Sequence, residues 1–287
     1  MSGRHTLRSC RETLFASRGR RGGEPARHLP RQNHLLAALP WADYERLRPH
    51  LKPVALPLGR TIYGAADREK YLYFLGAGIV SRVGVTENGA SAEFAVTGRE
   101  GVIGVASFLG GESTPSRAVV LSAGYAYRLD ADLLTDEFEH DGPLPHLLLR
   151  YTQALIAQTG QIAVCNRHHT LEQQLCRWIL SCLDRLPSNE LTMTHELIAE
   201  MLGVRRVGVT QAAGKLQAAG LIHYSRGHIV VLDRPRLEAR VCECYAVVKR
   251  EYDRLLRPED FIGNAGGNGT HRWYRQIGED PAHAELN

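Results

Sequence analysis

Arg206, Val207, Thr210 and Gln211 fall within a single span of six residues, and each can address the edge of a base pair. An arginine fork matches guanine O6 and N7, a glutamine amide bonds adenine bidentately, and Val207 and Thr210 can touch thymine methyls. Such readers need a helix that shows them on one side. Val209, Ala213, Leu216 and Gly220 recur at i, i+4, i+7 and i+11, which defines a buried stripe. At 100° per residue the opposite side centres on Val207, Gln211, Gly214 and Ala218, with Thr210 beside it and Arg206 at the amino end. Gly208 and Gly214 each weaken such a helix by about 1 kcal/mol relative to alanine. Something other than helix propensity must tolerate them, and close approach to a groove is the hypothesis for Gly214.

The flanking residues supply the elements that would hold this reader. Thr194 caps a helix from His195 to Leu202, with Ile198, Met201 and Leu202 facing inward and a small Ala199 at the crossing point. Gly203 ends it as a left-handed residue, and Arg205 or Arg206 opens the next helix, giving a helix-turn-helix. Leu221 to Tyr224, the turn Ser225-Arg226-Gly227 and His228 to Leu232 then form a hairpin, a wing. Thr194, His195, Arg205, Lys215, Ser225, Arg226 and the backbone N–H of Gly227 are placed to contact phosphate, which positions the protein without specifying sequence. Asp233 caps a last helix, with Pro235 in its first turn, running to about Leu256.

The chain before this segment has a different texture. Asn33 caps a short amphipathic run from His34 to Leu39. After Pro53, eight β-branched or aromatic runs, from Val54–Leu58 to Tyr125–Leu129, are separated by Gly, Asn and Asp turns, with a hairpin at Glu87-Asn88-Gly89. They predict an antiparallel β-roll or jelly roll over residues 33–140. From 141 to 168 the pattern is helical. Leu144, Leu148, Tyr151, Leu155, Gln158, Ile162 and Cys165 alternate spacings of four and three, a seam suited to pairing with a second copy, with Gln158 setting register. A further helix runs from Leu171 to Leu186, within a winged helix-turn-helix unit over 169–256. The fold class is α+β: an N-terminal antiparallel roll, a long dimerisation helix and a C-terminal winged helix-turn-helix.

Composition sets the outer limits. The 287 residues are 44% hydrophobic, enough for two ordinary cores. The net charge of +4 arises at the start of the chain: residues 1–34 carry eight arginines against Glu12 and Glu24, or +6, leaving about −2 for the rest. Bulk charge thus gives no support to nucleic-acid binding. Residues 1–32 and 257–287 read as disordered tails. Neither a membrane helix nor the apolar core of a secretory signal is present, so a cytoplasmic protein with no membrane partner is expected. The six cysteines (Cys10, Cys165, Cys176, Cys182, Cys242, Cys244) contain no C-x-x-C pair and read as reduced thiols.

From Thr194 to Leu232, the order of helix, Gly203, Arg206-centred second helix, Gly220-Leu221-Ile222 and wing resembles the family of the cyclic-AMP receptor protein and the fumarate and nitrate reduction regulator. The resemblance extends over about residues 33–256. It implies a homodimeric regulator of transcription that reads an inverted repeat in double-stranded DNA and partners RNA polymerase. Arg206 matches the family's base-contacting arginine, while Gln211 stands for a second arginine and Val207 for a glutamate, implying a different DNA site. The roll is similar to a cyclic-nucleotide fold whose ligand motif is broken. After Gly104, Val105 takes the place of the ribose-binding glutamate. Ser116 takes that of the phosphate-binding arginine, with Arg117 one residue late and therefore aimed away unless a bulge intervenes. An unknown small-molecule effector other than cyclic AMP is expected, and no cofactor. An iron–sulfur sensor would need clustered amino-terminal cysteines, where only Cys10 lies.

Other chemistries fit less well. Gly76-Ala77-Gly78-Ile79-Val80-Ser81 lacks the third glycine of a dinucleotide fingerprint, and Val209 replaces the lysine that a phosphate loop starting at Gly203 requires. No nucleophile elbow occurs, so no enzyme is expected. His168-His169 and Cys242-x-Cys244 suggest a metal- or redox-responsive sensor, but the spacing supplies no further ligand to close a tetrahedron, and no metal is expected. A dimeric interaction module without DNA binding remains the other alternative.

Overall fold

The computed structural model describes residues 29–139 and 142–256. A 3-10 turn at Pro30–Gln32 leads into α1 (His34–Ala38) and α2 (Trp41–Leu47). The roll follows as β1 (Lys52–Leu56), β2 (Thr61–Tyr63), β3 (Tyr71–Val85), β4 (Ser91–Thr97), β5 (Val102–Ile103) and β6 (Ser116–Asp130). Next come α3 (Asp132–Glu139), α4 (Pro143–His168), α5 (Leu171–Leu183), β7 (Glu190–Thr192), α6 (His195–Leu202), α7 (Arg206–Ala218), β8 (Ile222–Ser225), β9 (His228–Val231), α8 (Arg234–Glu238) and α9 (Cys244–Leu255). Apart from residues 29–32, the two predicted tails lie outside the described residues.

All six roll strands pair antiparallel, in the order β1-β6-β3-β4, with β2 on β6 and β5 on β3. The eight predicted runs merge because glycines read as turns are instead bulges in two fifteen-residue strands. Gly78 has φ +88°, and a Cβ there would meet Ser122 O at 2.5 Å; a Cβ on Gly124 would meet Ala77 O at 2.1 Å. Only glycine lets the two backbones approach so closely. Leu56, Tyr63, Tyr73, Leu75, Val80, Ile103, Ala118, Val120 and Ala126 fill the inside of the roll.

Asn33 ties the start of the chain to this sheet. Its Oδ1 accepts from the N–H of Leu35 and Leu36, and its Nδ2 donates to the carbonyls of Leu75, Arg99 and Gly101, so a fully buried amide caps α1 and satisfies the roll at once.

Helix α4 lies against the roll, and its orientation corrects the predicted seam. Leu144, Leu148, Tyr151, Leu155, Gln158, Ile162 and Cys165 are all buried within the chain itself. The Tyr151 hydroxyl sits 3.0 Å from Thr97 Oγ1, and Gln158 Oε1 accepts from the Val96 N–H at 3.1 Å. Gly101 is obligatory here, since a Cβ would run into the Tyr151 ring at 2.3 Å. The three-four spacing is that of any helix face packed on a neighbour, so it marked the inward side rather than a partner.

The last predicted helix is also interrupted: a turn between α8 and α9 carries Val241, Cys242 and Glu243 back toward the end of α4. Sequence reasoning did not anticipate β7, which pairs β9 and extends the wing to a three-stranded sheet, β7-β9-β8.

Candidate DNA interface

The helix-turn-helix forms where its local signals place it. Thr194 Oγ1 accepts from the Leu197 N–H at 3.2 Å, capping α6, and Gly203 ends it at φ +66°. Val209, Ala212, Ala213 and Leu216 bury the inner side of α7 against α5 and α6. Gly208 is explained by packing, because a Cβ would meet Leu171 Cδ2 at 2.8 Å, whereas Gly214 faces open space.

Arg206, Val207, Thr210, Gln211 and Gly214 are exposed together on the outer side. Val207, 65% exposed, is an apolar residue held in water next to Arg206. Arg206 approaches Glu196 only to 3.9 Å, and both side chains are largely solvated, so the guanidinium is weakly engaged. Thr210 Oγ1 donates to Arg206 O at 3.1 Å and takes a bond from His195 Nδ1 at 3.0 Å, which leaves its methyl as the group to present outward.

Arg205, Lys215, Ser225 and Arg226 are exposed around that face. Arg226 and Gly227, at φ +48° and +82°, make the two-residue turn of the wing, in the left-handed pair of conformations that matches strand twist. His195 lies between α6 and the wing. Its ring stacks on Tyr224 at 3.9 Å between centroids, its Nδ1 is taken by Thr210, and its Nε2 is buried without a partner. Burial, reinforced by Arg206, lowers its pKa below the usual imidazole value, and the stacked ring fills the space between α6 and the wing.

The unit rests on the outer face of the roll. Met201 and its neighbours pack with Ile79, Val83, Val96 and Leu121, and Gly203 lies so near Ala92 that a Cβ would approach it to 3.1 Å. Arg185, buried, bonds Glu100 at 2.7 Å, and the buried Glu93 carboxylate accepts from Ser81 Oγ at 2.7 Å. Burial raises the Glu93 pKa, opposed by Ser81 and the Arg177 charge.

Gly104 adopts φ +108° beneath Tyr71 O, and Val105 is buried. The pairs Arg82↔Ala118, Val83↔Arg117 and Gly84↔Ser116 run without a bulge. Ala118 lines the interior, and Arg117, the next residue of the strand, faces the other way. Ser116 Oγ contacts Thr114 Oγ1 at 3.0 Å instead. Two residues that the motif comparison missed do point inward. Arg82 shares the face of Val80 and Ala118, and its Nη2 donates to Val102 O at 3.3 Å; Glu69 accepts from the Ala106 N–H at 2.8 Å. Burial raises the Glu69 pKa, opposed by the Ala106 bond and then by Arg82. The alternation of β3 carried the signal for Arg82: an arginine in phase with buried Val80.

A strand-built roll, a long helix and an exposed winged helix-turn-helix define a DNA-binding transcription regulator. Residues 173–240 match the Crp-like helix-turn-helix domain, and residues 53–141 match the cyclic nucleotide-binding domain. The chain is a member of the Crp/Fnr family. It is 26% identical over 184 residues to the global nitrogen regulator of Synechococcus elongatus, covering 61% of this chain and 83% of that one. The global nitrogen regulator of Synechocystis is 26% identical over 202 residues, covering 66% and 90%. The fold is similar to FixK2 from Bradyrhizobium japonicum, with a TM-score of 0.59 and 18% identity over 67% of this chain and 98% of that one. It is also similar to the c-di-GMP responsive regulator CLP of Xanthomonas campestris, with a TM-score of 0.55 and 16% identity over 67% and 99%. No helix among the described residues is long and apolar enough to cross a membrane.

Proposed function

We propose that the chain works in the cytoplasm as a homodimer, without catalysis, reading an inverted repeat through Arg206, Val207, Thr210 and Gln211. Arg205, Lys215, Ser225, Arg226 and the Gly227 N–H hold the phosphates, with RNA polymerase as the protein partner at a promoter. The observation that carries this reading is the outward face of α7: base-reading side chains stand clear of the core while the apolar stripe is buried. Residues 33–140 form the sensor, 141–168 the dimer helix and 169–256 the reader.

The dimer is supported by a second stripe on α4. His146, Leu149, Gln153, Ile156, Gly160, Ala163 and Arg167 are exposed at alternating spacings of three and four. Leu149 is 48% exposed, Ile156 67% and the adjacent Val164 48%, and no side chain crowds Gly160. A second copy of α4 is the occupant that a self-complementary heptad stripe fits.

The effector of the roll is a small molecule other than cyclic AMP, because Val105 and Ser116 supply neither the carboxylate nor the guanidinium a cyclic nucleotide needs. Any polar ligand entering the roll would meet Arg82 and Glu69.

Selection of bound sites from random duplexes, followed by Arg206→Ala, tests the reading. The variant is expected to lose about 1–3 kcal/mol and to relax preference at one base pair of each half-site. Unchanged affinity for every sequence would refute it.

A further inference from the structure

Cys165, His169, Cys242 and Cys244 come together at the hinge where α4 hands over to α5. Their ligand atoms all lie within 4.8 Å of one another. Cys165 Sγ is 3.6 Å from Cys242 Sγ, and Cys244 Sγ is 3.4 Å from His169 Nδ1. Bond lengths of about 2.3 Å to sulfur and 2.0–2.1 Å to nitrogen imply tetrahedral edges of about 3.8 Å for S···S and 3.6 Å for S···N. The two measured edges therefore lie within a few tenths of an ångström of a closed tetrahedral site. The Sγ separation is far above the ~2.05 Å of a disulfide.

We propose that these four side chains bind one thiophilic divalent cation of the zinc type. Cys165, counted by its spacing among the seam residues, is the ligand that the sequence pattern of His169 and Cys242-x-Cys244 lacked. His168, next to His169, is exposed and takes no part. Binding breaks three S–H bonds, forms three metal–sulfur bonds and one metal–Nδ1 bond, and releases three protons to solvent, with no change of oxidation state.

The surroundings suit that charge. Three thiolates on a divalent cation leave one negative charge, and the Arg177 guanidinium donates from Nε to Cys165 Sγ at 3.2 Å. Gln161 Nε2 donates to Cys244 Sγ at 3.0 Å. His169 Nε2 lies 3.3 Å from Glu243 Oε1, the carboxylate–histidine arrangement that orients a metal-bound imidazole. Gln174 Nε2 fixes the His169 backbone through its carbonyl at 2.9 Å. The three sulfurs are buried, whereas the His169 edge reaches solvent and gives an entry path.

The cation would join the last turn of α4 to the turn before α9. It would therefore set the angle at which the winged unit leaves the long helix.

The full chain, purified from zinc-supplemented cells, is expected to carry roughly one cation per chain by elemental analysis. Cobalt(II) substitution is expected to give the thiolate charge-transfer and strong ligand-field bands of a tetrahedral sulfur site. His169→Gln and Cys244→Ser should each bring occupancy below about a tenth. Because those variants can also disturb packing, Glu243→Gln, on an exposed side chain, serves as the second arm: it should keep the cobalt spectrum and weaken metal affinity by about 10–100-fold in chelator competition. A folded parent chain with no bound metal and no cobalt charge-transfer band would overturn the proposal, as would a Cys165–Cys242 disulfide in protein purified under reducing conditions. Neither readout depends on DNA binding.

Discussion

Helices α4 and α7 each carry residues at helical spacing on two opposite faces, yet the faces differ more in chemistry in α7. Its inner side is Val209, Ala212, Ala213 and Leu216, and its outer side has Arg206, Thr210 and Gln211. Burying the outer side would strand a guanidinium and an amide, so desolvation alone decides which way the helix faces. In α4 the outer face, although it holds His146, Gln153 and Arg167, also carries large apolar side chains. Leu144, Leu148, Leu155 and Ile162 meet the chain's own core, and Leu149, Ile156 and Val164 meet solvent. A polar face reports its own orientation, whereas two faces that both carry large apolar side chains leave the choice to whatever lies beside the helix.

The sharpest way to break this comparison is to mutate one buried and one exposed residue of α4. Leu148, fully buried, is expected to lose about 2–5 kcal/mol of stability as Leu148→Ala, with the dimer otherwise intact. Ile156→Glu should leave the fold near parental stability and give a monomer, with affinity for an inverted repeat lower by about 10²-fold or more, because two linked half-sites are lost. Urea unfolding and sedimentation separate the two outcomes. An Ile156→Glu chain that stays dimeric at micromolar concentration would place the partner elsewhere.

The same contrast explains what could be read in the sequence. The helix-turn-helix and the turn of the wing were legible because caps, Gly203 and the Arg226-Gly227 turn act within a few positions of themselves, whereas β7 and the break between α8 and α9 depend on partners farther away. The roll was legible as alternation and turns, but Gly76, Gly78 and Gly124 were indistinguishable from turn glycines until two strands were seen to need them. The inward face of α4 was hidden because its neighbours, Val96, Thr97 and Gly101, lie some fifty residues or more away. The cysteine and histidine cluster was hidden for the same reason: Cys165 lies 77 positions from Cys242, and only the turn between α8 and α9 unites them.

Within the reader, the wing and α7 should differ in kind. Arg226, at the tip, is expected to act on phosphate only. Arg226→Ala should lower affinity for all sequences alike and reduce the slope of log K against log salt by about 0.9 per lost contact. Arg206→Ala should alter the preferred sequence more than the slope. A wing variant that changes base preference would mean that the hairpin enters a groove, and the division between positioning and reading would need to be redrawn.

The smallest expected effect concerns His195, which joins the two. Burial and the Arg206 charge hold its folded pKa below the ordinary 6.5, so the unfolded chain takes up a proton first as pH falls. Its contribution to stability is complete above about pH 6.5 and is lost as the pH drops toward the folded value. Protonating the ring would place a cation near Arg206 and put a charged Nε2 where no partner waits. The packing of α6 against Tyr224 should therefore loosen in mild acid before the roll does. Amide exchange at Tyr224 and Leu197, followed from pH 7.5 to 5.5, is expected to rise more than the intrinsic trend, and His195→Phe should flatten that rise while keeping the stack on Tyr224. Equal pH dependence in parent and His195→Phe would show that the imidazole carries no such charge penalty.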